Sequence, residues 1–214
     1  MSFIRPNFKT NYFKEVTTLL IDLKQDKESL FNGIKPNFRN EIRRAESISC
    51  RHLINETPNE KDIKELIKNY SRFAGKSGLE EDLSPERLNV YAKNHLLIVT
   101  EVLYEGKGIA THVYILHGQN STALLLSYYN VDFNDNAIRG YANKFLHWKD
   151  MEHFKEKGFA FYDFGGIDTV DTPEGIAKFK QSFGGKLVNG YNFSAVSGLY
   201  GFLKSLRTSI IKTR

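Results

Sequence analysis

Residues 158–185 read GFAFYDFGGIDTVDTPEGIAKFKQSFGG, and the rest of the chain is organised around them. FAFYDF is a short aromatic run of strand type. Gly165 and Gly166 interrupt it, and glycine there allows left-handed backbone or close approach to a ligand. EGIAKFKQSF then carries a helical pattern that stops at Gly184-Gly185. The unit is therefore strand, glycine loop, helix and glycine stop. Ligands gather where a strand feeds a helix N-terminus. KLVNGYNFSAV reads as a last strand, and Gly198–Lys212 as a closing helix.

Upstream, Tyr141–Lys157 spaces Phe145, Trp148, Met151 and Phe154 for one buried helical face, with Gly158 as its stop. Asn134–Gly140 reads as a polar loop before it. LLIVTEVLY, GIATHVYIL and STALLLSYYN precede that loop as three strand-type runs. Glu105-Gly106-Lys107-Gly108 and His117-Gly118-Gln119-Asn120 separate them, which is the spacing of an antiparallel meander. Ser84-Pro85-Glu86, Thr57-Pro58-Asn59-Glu60 and Pro36-Asn37 each open a helix. The Pro36 helix buries Phe38, Ile42 and Ala45 and turns Arg39, Arg43 and Arg44 outward. Asp26–Phe31 starts a short helix, and Tyr12–Lys24 and Ile48–Ile54 are strands. A meander that passes through a helix into another strand predicts an α+β sheet with helices on its faces.

The length, 214 residues, suits one domain over residues 1–214 that includes a C-terminal helix at 198–212. A net charge of +5 favours anionic partners such as phosphates, nucleotides, RNA or a membrane surface. The single cysteine, Cys50, follows apolar residues and reads as packed core. One cysteine excludes an internal disulfide and fits a reducing, cytoplasmic compartment. No apolar run is long enough to cross a bilayer, and MSFIRPNFKT lacks the core of a signal peptide. His52, His95, His112, His117, His147 and His153 are scattered without metal-ligand spacing, so no metal is expected.

The motif at 158–185, the helix YANKFLHWKDMEHFKEKG at 141–158 and the basic helix FRNEIRRAES at 38–47 resemble the FemABX-like peptidoglycan-bridge ligases and their acetyltransferase relatives. The resemblance implies a GNAT-like fold, with a central mixed, mostly antiparallel sheet and helices on both faces. It also implies transfer of an acyl group to an amine from acyl-CoA or aminoacyl-tRNA. The chain has room for one such domain and lacks the coiled-coil arm of the larger ligases. That favours acetyl-CoA as donor and an amino sugar, nucleotide-linked, or a related cell-surface precursor as acceptor.

Acyl transfer needs a neutral amine, donors for the oxyanion and a site for the donor's phosphates. Arg139, Gly140, Ala142 and Asn143 match the phosphate-binding stretch that the resemblance implies. Lys180 matches a lysine associated with phosphates or developing charge. Asp163 is a candidate base, or the residue that fixes the glycine turn. Tyr129 is one of several candidate phenols, beside Tyr128 and Tyr162. Tyr162, Gly165 and Gly166, with Arg39 and Arg43, fall on the expected substrate side. Two other readings stand: an aminoacyl-tRNA-dependent ligase, and a non-catalytic module binding RNA or a membrane surface. The second rests on GLYGFLKSLRTSIIKTR, whose apolar and basic residues suit contact with the inner face of the membrane. No interaction with DNA is expected.

Overall fold

A computed structural model describes residues 12–79, 83–117, 120–167 and 174–194. The predicted helix at 198–212 lies outside the described residues, as does the membrane contact assigned to it. In chain order the elements are β1 (Tyr12–Asp22), α1 (Lys27–Gly33), α2 (Pro36–Ser47), β2 (Arg51–Asn55), α3 (Glu60–Ser77), α4 (Pro85–Lys93) and β3 (Leu97–Tyr104). They continue with β4 (Lys107–His117), β5 (Ser121–Tyr129), α5 (Asn136–Glu156), β6 (Phe161–Gly166), α6 (Glu174–Gln181) and β7 (Lys186–Ser194).

The strands form one sheet in the order β2-β3-β4-β5-β6-β1-β7. All neighbouring pairs are antiparallel except β5 and β6. The predicted meander is β3-β4-β5. Alternation along β4 separates two cores: His112 and Tyr114 face α5, whereas Val113 packs with Ile63, Leu66, Leu88 and Leu97 from α3, α4 and β3. The larger core joins β1, α1, α2, α5, β6 and the end of α6 through Leu19, Ile42, Phe154, Tyr162, Phe164 and Phe183. Each such apolar side chain contributes about 1.5–3 kcal/mol on full burial. The result is the expected mixed, mostly antiparallel sheet with helices on both faces, a GNAT-type arrangement.

Two boundaries differ from expectation. β2 begins at Arg51, because α2 runs to Ser47 and Ser49 turns the chain with φ 64°. More consequentially, α5 begins at Asn136, five residues before Tyr141. The Asp135 side chain accepts the Ile138 N–H at 2.9 Å and caps the helix there. Arg139 and Gly140 are thus helical, and the expected glycine loop is the first turns of α5. Cys50 is buried, and burial pushes its thiol up to about 11, so it is protonated at neutral pH.

Candidate functional site

β5 and β6, the one parallel pair, are paired only from Ser121↔Phe161 to Ala123↔Asp163. Beyond that point they part. Two backbone irregularities accompany the divergence. A bulge shifts the β4–β5 register between Val113↔Leu126 and Tyr114↔Leu124, which bends β5. On β6, Gly165 has φ 72°, and a Cβ there would lie 2.9 Å from the Leu124 carbonyl oxygen. Only glycine meets both conditions without strain. The Asp163 carboxylate holds this turn, accepting the Gly165 N–H at 2.7 Å and the Thr18 hydroxyl. Burial raises its pKa, against the hydrogen bonds from Thr18 and Gly165.

Lys180 of α6 lies at the same mouth. Its ammonium donates to the Gly166 carbonyl at 2.9 Å. Burial lowers its pKa, and Asp163 partly offsets that. Further along β5, a cleft of about 270 Å³ lies between Ser127, Tyr128 and Tyr129 on the strand and Asn136, Arg139, Gly140 and Asn143 on α5. From Ala123 to Ser127 is about 13 Å of strand. The Arg139 guanidinium lies over the Tyr129 ring, 4.2 Å from its centre. The N-terminal turn of α5 adds unpaired N–H groups and the positive end of its dipole. The cleft therefore favours anionic groups.

A second cleft, of about 240 Å³, reaches the end of β5 from the α3 side. Glu65, Arg72, Glu101, Thr111, Tyr128 and Tyr129 are among its lining residues. Burial, then the Glu65 charge, raises the Glu101 pKa, and burial pushes Tyr128 up to about 12.

Behind the first cleft lies a buried polar chain. Asp150 of α5 accepts from His52 Nε2 at 2.8 Å, His112 Nδ1 at 2.8 Å and the Tyr114 hydroxyl at 2.5 Å. The Tyr114 and Tyr162 hydroxyls are 2.7 Å apart, and His147 Nδ1 is 2.7 Å from the Tyr162 hydroxyl. His112 Nε2 lies 3.0 Å from Asn143 Oδ1, at the cleft wall. Burial opposes ionisation of Asp150, but hydrogen bonds and charge from His112 and His52 outweigh it and hold the carboxyl well below its usual range. Burial, then Asp150, lifts Tyr114 and Tyr162. Burial, then His112, lowers His147.

Of the residues singled out in the sequence, Tyr129, Arg139, Gly140 and Asn143 share the first cleft, while Asp163, Gly165, Gly166 and Lys180 share the mouth where the strands part. Three sets fall elsewhere. Ala142 is fully buried and packs in the core. Tyr162 is also fully buried and spends its hydroxyl on Tyr114 and His147, so it cannot contact a substrate directly. Arg39 donates to Asn32 at 2.7 Å, and Arg43 lies 5.1 Å from the centre of the Phe31 ring. Both turn toward α1 and line neither cleft.

The buried histidine–aspartate chain escaped the sequence reading, which treated the histidines singly. A signal existed. Asn143, His147, Asp150 and Phe154 follow helical spacing, and Ala110, His112 and Tyr114 follow strand spacing, so polar residues recur within apolar faces. Among the described residues, no group of three or more His, Cys, Asp or Glu side chains is arranged to hold a metal ion. No described helix is long and apolar enough to cross a membrane.

The sequence model of the FemAB family matches residues 86–191. No curated protein matches the chain. Among solved structures, FemX is 14% identical with a TM-score of 0.65, and the alignment covers 87% of this chain and 66% of that one. A conserved protein of unknown function from Bacteroides thetaiotaomicron is 14% identical with a TM-score of 0.58, covering 85% and 62%. L-PGS from Bacillus licheniformis is 15% identical with a TM-score of 0.56, covering 95% and 68%. At these identities the likeness is one of fold. The chain spans about two thirds, or slightly less, of the length of these structures.

Proposed function

We propose that this chain, whose residues 86–191 match the FemAB family model and whose fold is like that of FemX, is an N-acyltransferase. The acyl donor is acetyl-CoA and the acceptor is the amino group of an amino sugar, nucleotide-linked, or of a related cell-envelope precursor. One observation carries this reading. Pairing of the one parallel strand pair ends at Ala123↔Asp163, with Arg139 at the start of α5 on one side and Lys180 on the other.

Arg139, the Asn136 side chain and the N–H groups of Asn136 and Ala137 bind the donor's phosphates, the Ile138 and Arg139 N–H groups being held by Asp135. Gly140 keeps that turn open: a Cβ there would meet nothing nearer than the Lys144 ammonium at 3.6 Å. Attack by the neutral amine on the acyl carbonyl places negative charge on the carbonyl oxygen. Lys180, partly withdrawn from water, stabilises that charge more strongly than an exposed lysine would. Asp163 holds the mouth open through Gly165, and its raised pKa suits it to accept a proton from the incoming ammonium. Tyr129 orients Arg139 through its ring face. The working compartment is the cytoplasm.

A second reading has its own support. The match to the FemAB family model favours aminoacyl-tRNA as donor, with an amino acid added to a cell-wall precursor. The test is turnover with acetyl-CoA and with charged tRNA against a panel of amino sugars, nucleotide sugars and cell-wall precursors. Turnover with acetyl-CoA supports the first reading, and turnover with charged tRNA alone replaces it by the second. Activity in the Lys180→Ala variant at the wild-type rate would remove Lys180 from the mechanism.

A further inference from the structure

We propose that the second cleft, between α3 and the ends of β4 and β5, is a binding site for a small organic ammonium ion, held by the carboxylates of Glu65 and Glu101 and by the ring of Tyr128. The proposal goes beyond the acyl-transfer reading and uses none of the residues to which that reading gives a role.

The charges of the lining choose the ligand class. Of the residues around this space of about 240 Å³, Glu65, Glu101 and Asp132 are acidic and Arg72 is basic. Arg72 is already committed. Its Nη2 donates to both carboxylate oxygens of Asp132, at 2.8 Å each, so that pair cancels. Lys76, one helical turn further along α3, donates to the Val131 carbonyl at 3.1 Å. Among the described residues, Glu65 and Glu101 take part in no ion pair. The cleft is left with two uncompensated carboxylates.

The backbone of β4 is shaped around one of them. The β3–β4 register slips between Val102↔Ala110 and Leu103↔Gly108, which leaves Ile109 as an extra, fully buried residue on β4. Such a bulge re-aims the side chains beside it. At Gly108 a Cβ would overlap the Glu101 carboxylate, so glycine is what lets that carboxylate lie against β4 inside the cleft. Glu101 is thus half-buried without a countercharge, an arrangement that costs folding free energy. Its raised pKa, from burial first and the Glu65 charge second, has the same origin. A cation entering the cleft removes both penalties.

The aromatic wall points the same way. Tyr128 is buried, and its ring meets Tyr70 of α3 edge-on with centres 6.0 Å apart. Thr111 bonds its hydroxyl, which fixes the ring at the cleft wall. Ring faces attract ammonium groups and repel anions. An anion would also meet both carboxylates, and a neutral ligand would leave them uncompensated. The sign reverses across Tyr129, which lines both clefts: on the other side Arg139 lies over that ring.

The test uses the full chain and two probes of similar shape: cyclohexylamine, charged at pH 7, and cyclohexanol, which is neutral. In ¹H–¹⁵N NMR, cyclohexylamine should shift the backbone amides of Gly108 and Thr111 saturably, and cyclohexanol should not. Glu101→Gln should weaken cyclohexylamine binding by about tenfold or more, whereas Glu156→Gln, an exposed neutralisation on α5, should bind as wild type does. Thermal unfolding supplies a readout that a purely structural carboxylate would move the other way. Without ligand, Glu101→Gln should keep or raise Tm, because it removes a half-buried charge and its repulsion from Glu65. An equal response to both probes, no shift of those amides by cyclohexylamine, or undiminished binding in Glu101→Gln would overturn the proposal. So would a fall in Tm for Glu101→Gln, which would make Glu101 a stabilising part of the fold. Acyl-transfer activity, present or absent, enters none of these outcomes.

Discussion

Replacing Asp150 by Asn probes the buried chain at its centre. The substitution keeps the side chain's volume, so no cavity contributes. It removes the negative charge and turns one acceptor oxygen into an NH2 group among three donors, His52, His112 and Tyr114. Breaking a fully buried ion pair by neutralising one member costs about 3–5 kcal/mol. The low end applies if His52 changes tautomer and accepts from the new amide. For a chain of this size that corresponds to a fall in Tm on the order of 10 °C. The loss should depend on pH in a defined direction. The folded carboxyl lies below its unfolded value of about 3.9. Its stabilisation is therefore complete above that value and declines as pH falls toward the folded value, by about 1.4 kcal/mol per pH unit. Urea unfolding of both chains from pH 7 to pH 3 measures this. Wild type and Asp150→Asn should differ most near neutrality, and the difference should narrow by about 1 kcal/mol by pH 3. A difference below about 1 kcal/mol at pH 7, or one that does not change with pH, would refute the assignment of an ionised Asp150 as the hub.

Three further outcomes follow from the cleft and its mouth. Gly165→Ala forces a Cβ to within 2.9 Å of the Leu124 carbonyl at φ 72°, so it should cost about 1–3 kcal/mol in thermal or urea unfolding and lower turnover as the strands shift. Gly140→Ala places a methyl in the cleft without a clash; stability should rise by up to about 1 kcal/mol from helix propensity, while calorimetry with acetyl-CoA should show weaker binding. Arg139→Ala should weaken donor binding by about tenfold or more, raising KM with less effect on kcat, and should reduce the salt dependence of binding.

How much of this could be read beforehand depends on the range of the interactions involved. The meander, the strand at 161–166 and the helix at 174–181 carry local periodicity and glycine stops, so the sequence displays them. The start of α5 was misread because Gly140 looked like a loop residue, whereas the Asp135 cap decides the boundary. Tyr162 looked like a substrate contact because an aromatic beside a glycine turn often is one. The pleat instead sends it inward to Tyr114 and His147.

The opening stretch, residues 158–185, by itself determined the order of strand, turn and helix, together with the glycines its backbone needs. Together with the meander upstream it pointed to the fold class, because hydrophobic period and turn chemistry are local properties of the chain. The sequence did not determine which residues meet. His52, His112, Asn143 and Asp150 come from β2, β4 and α5, up to 98 positions apart, and only closure of the sheet under α5 brings them within hydrogen-bond distance. The tertiary structure also decided that β5 and β6 part just past Asp163, since that divergence is set by a bulge and a glycine on different strands.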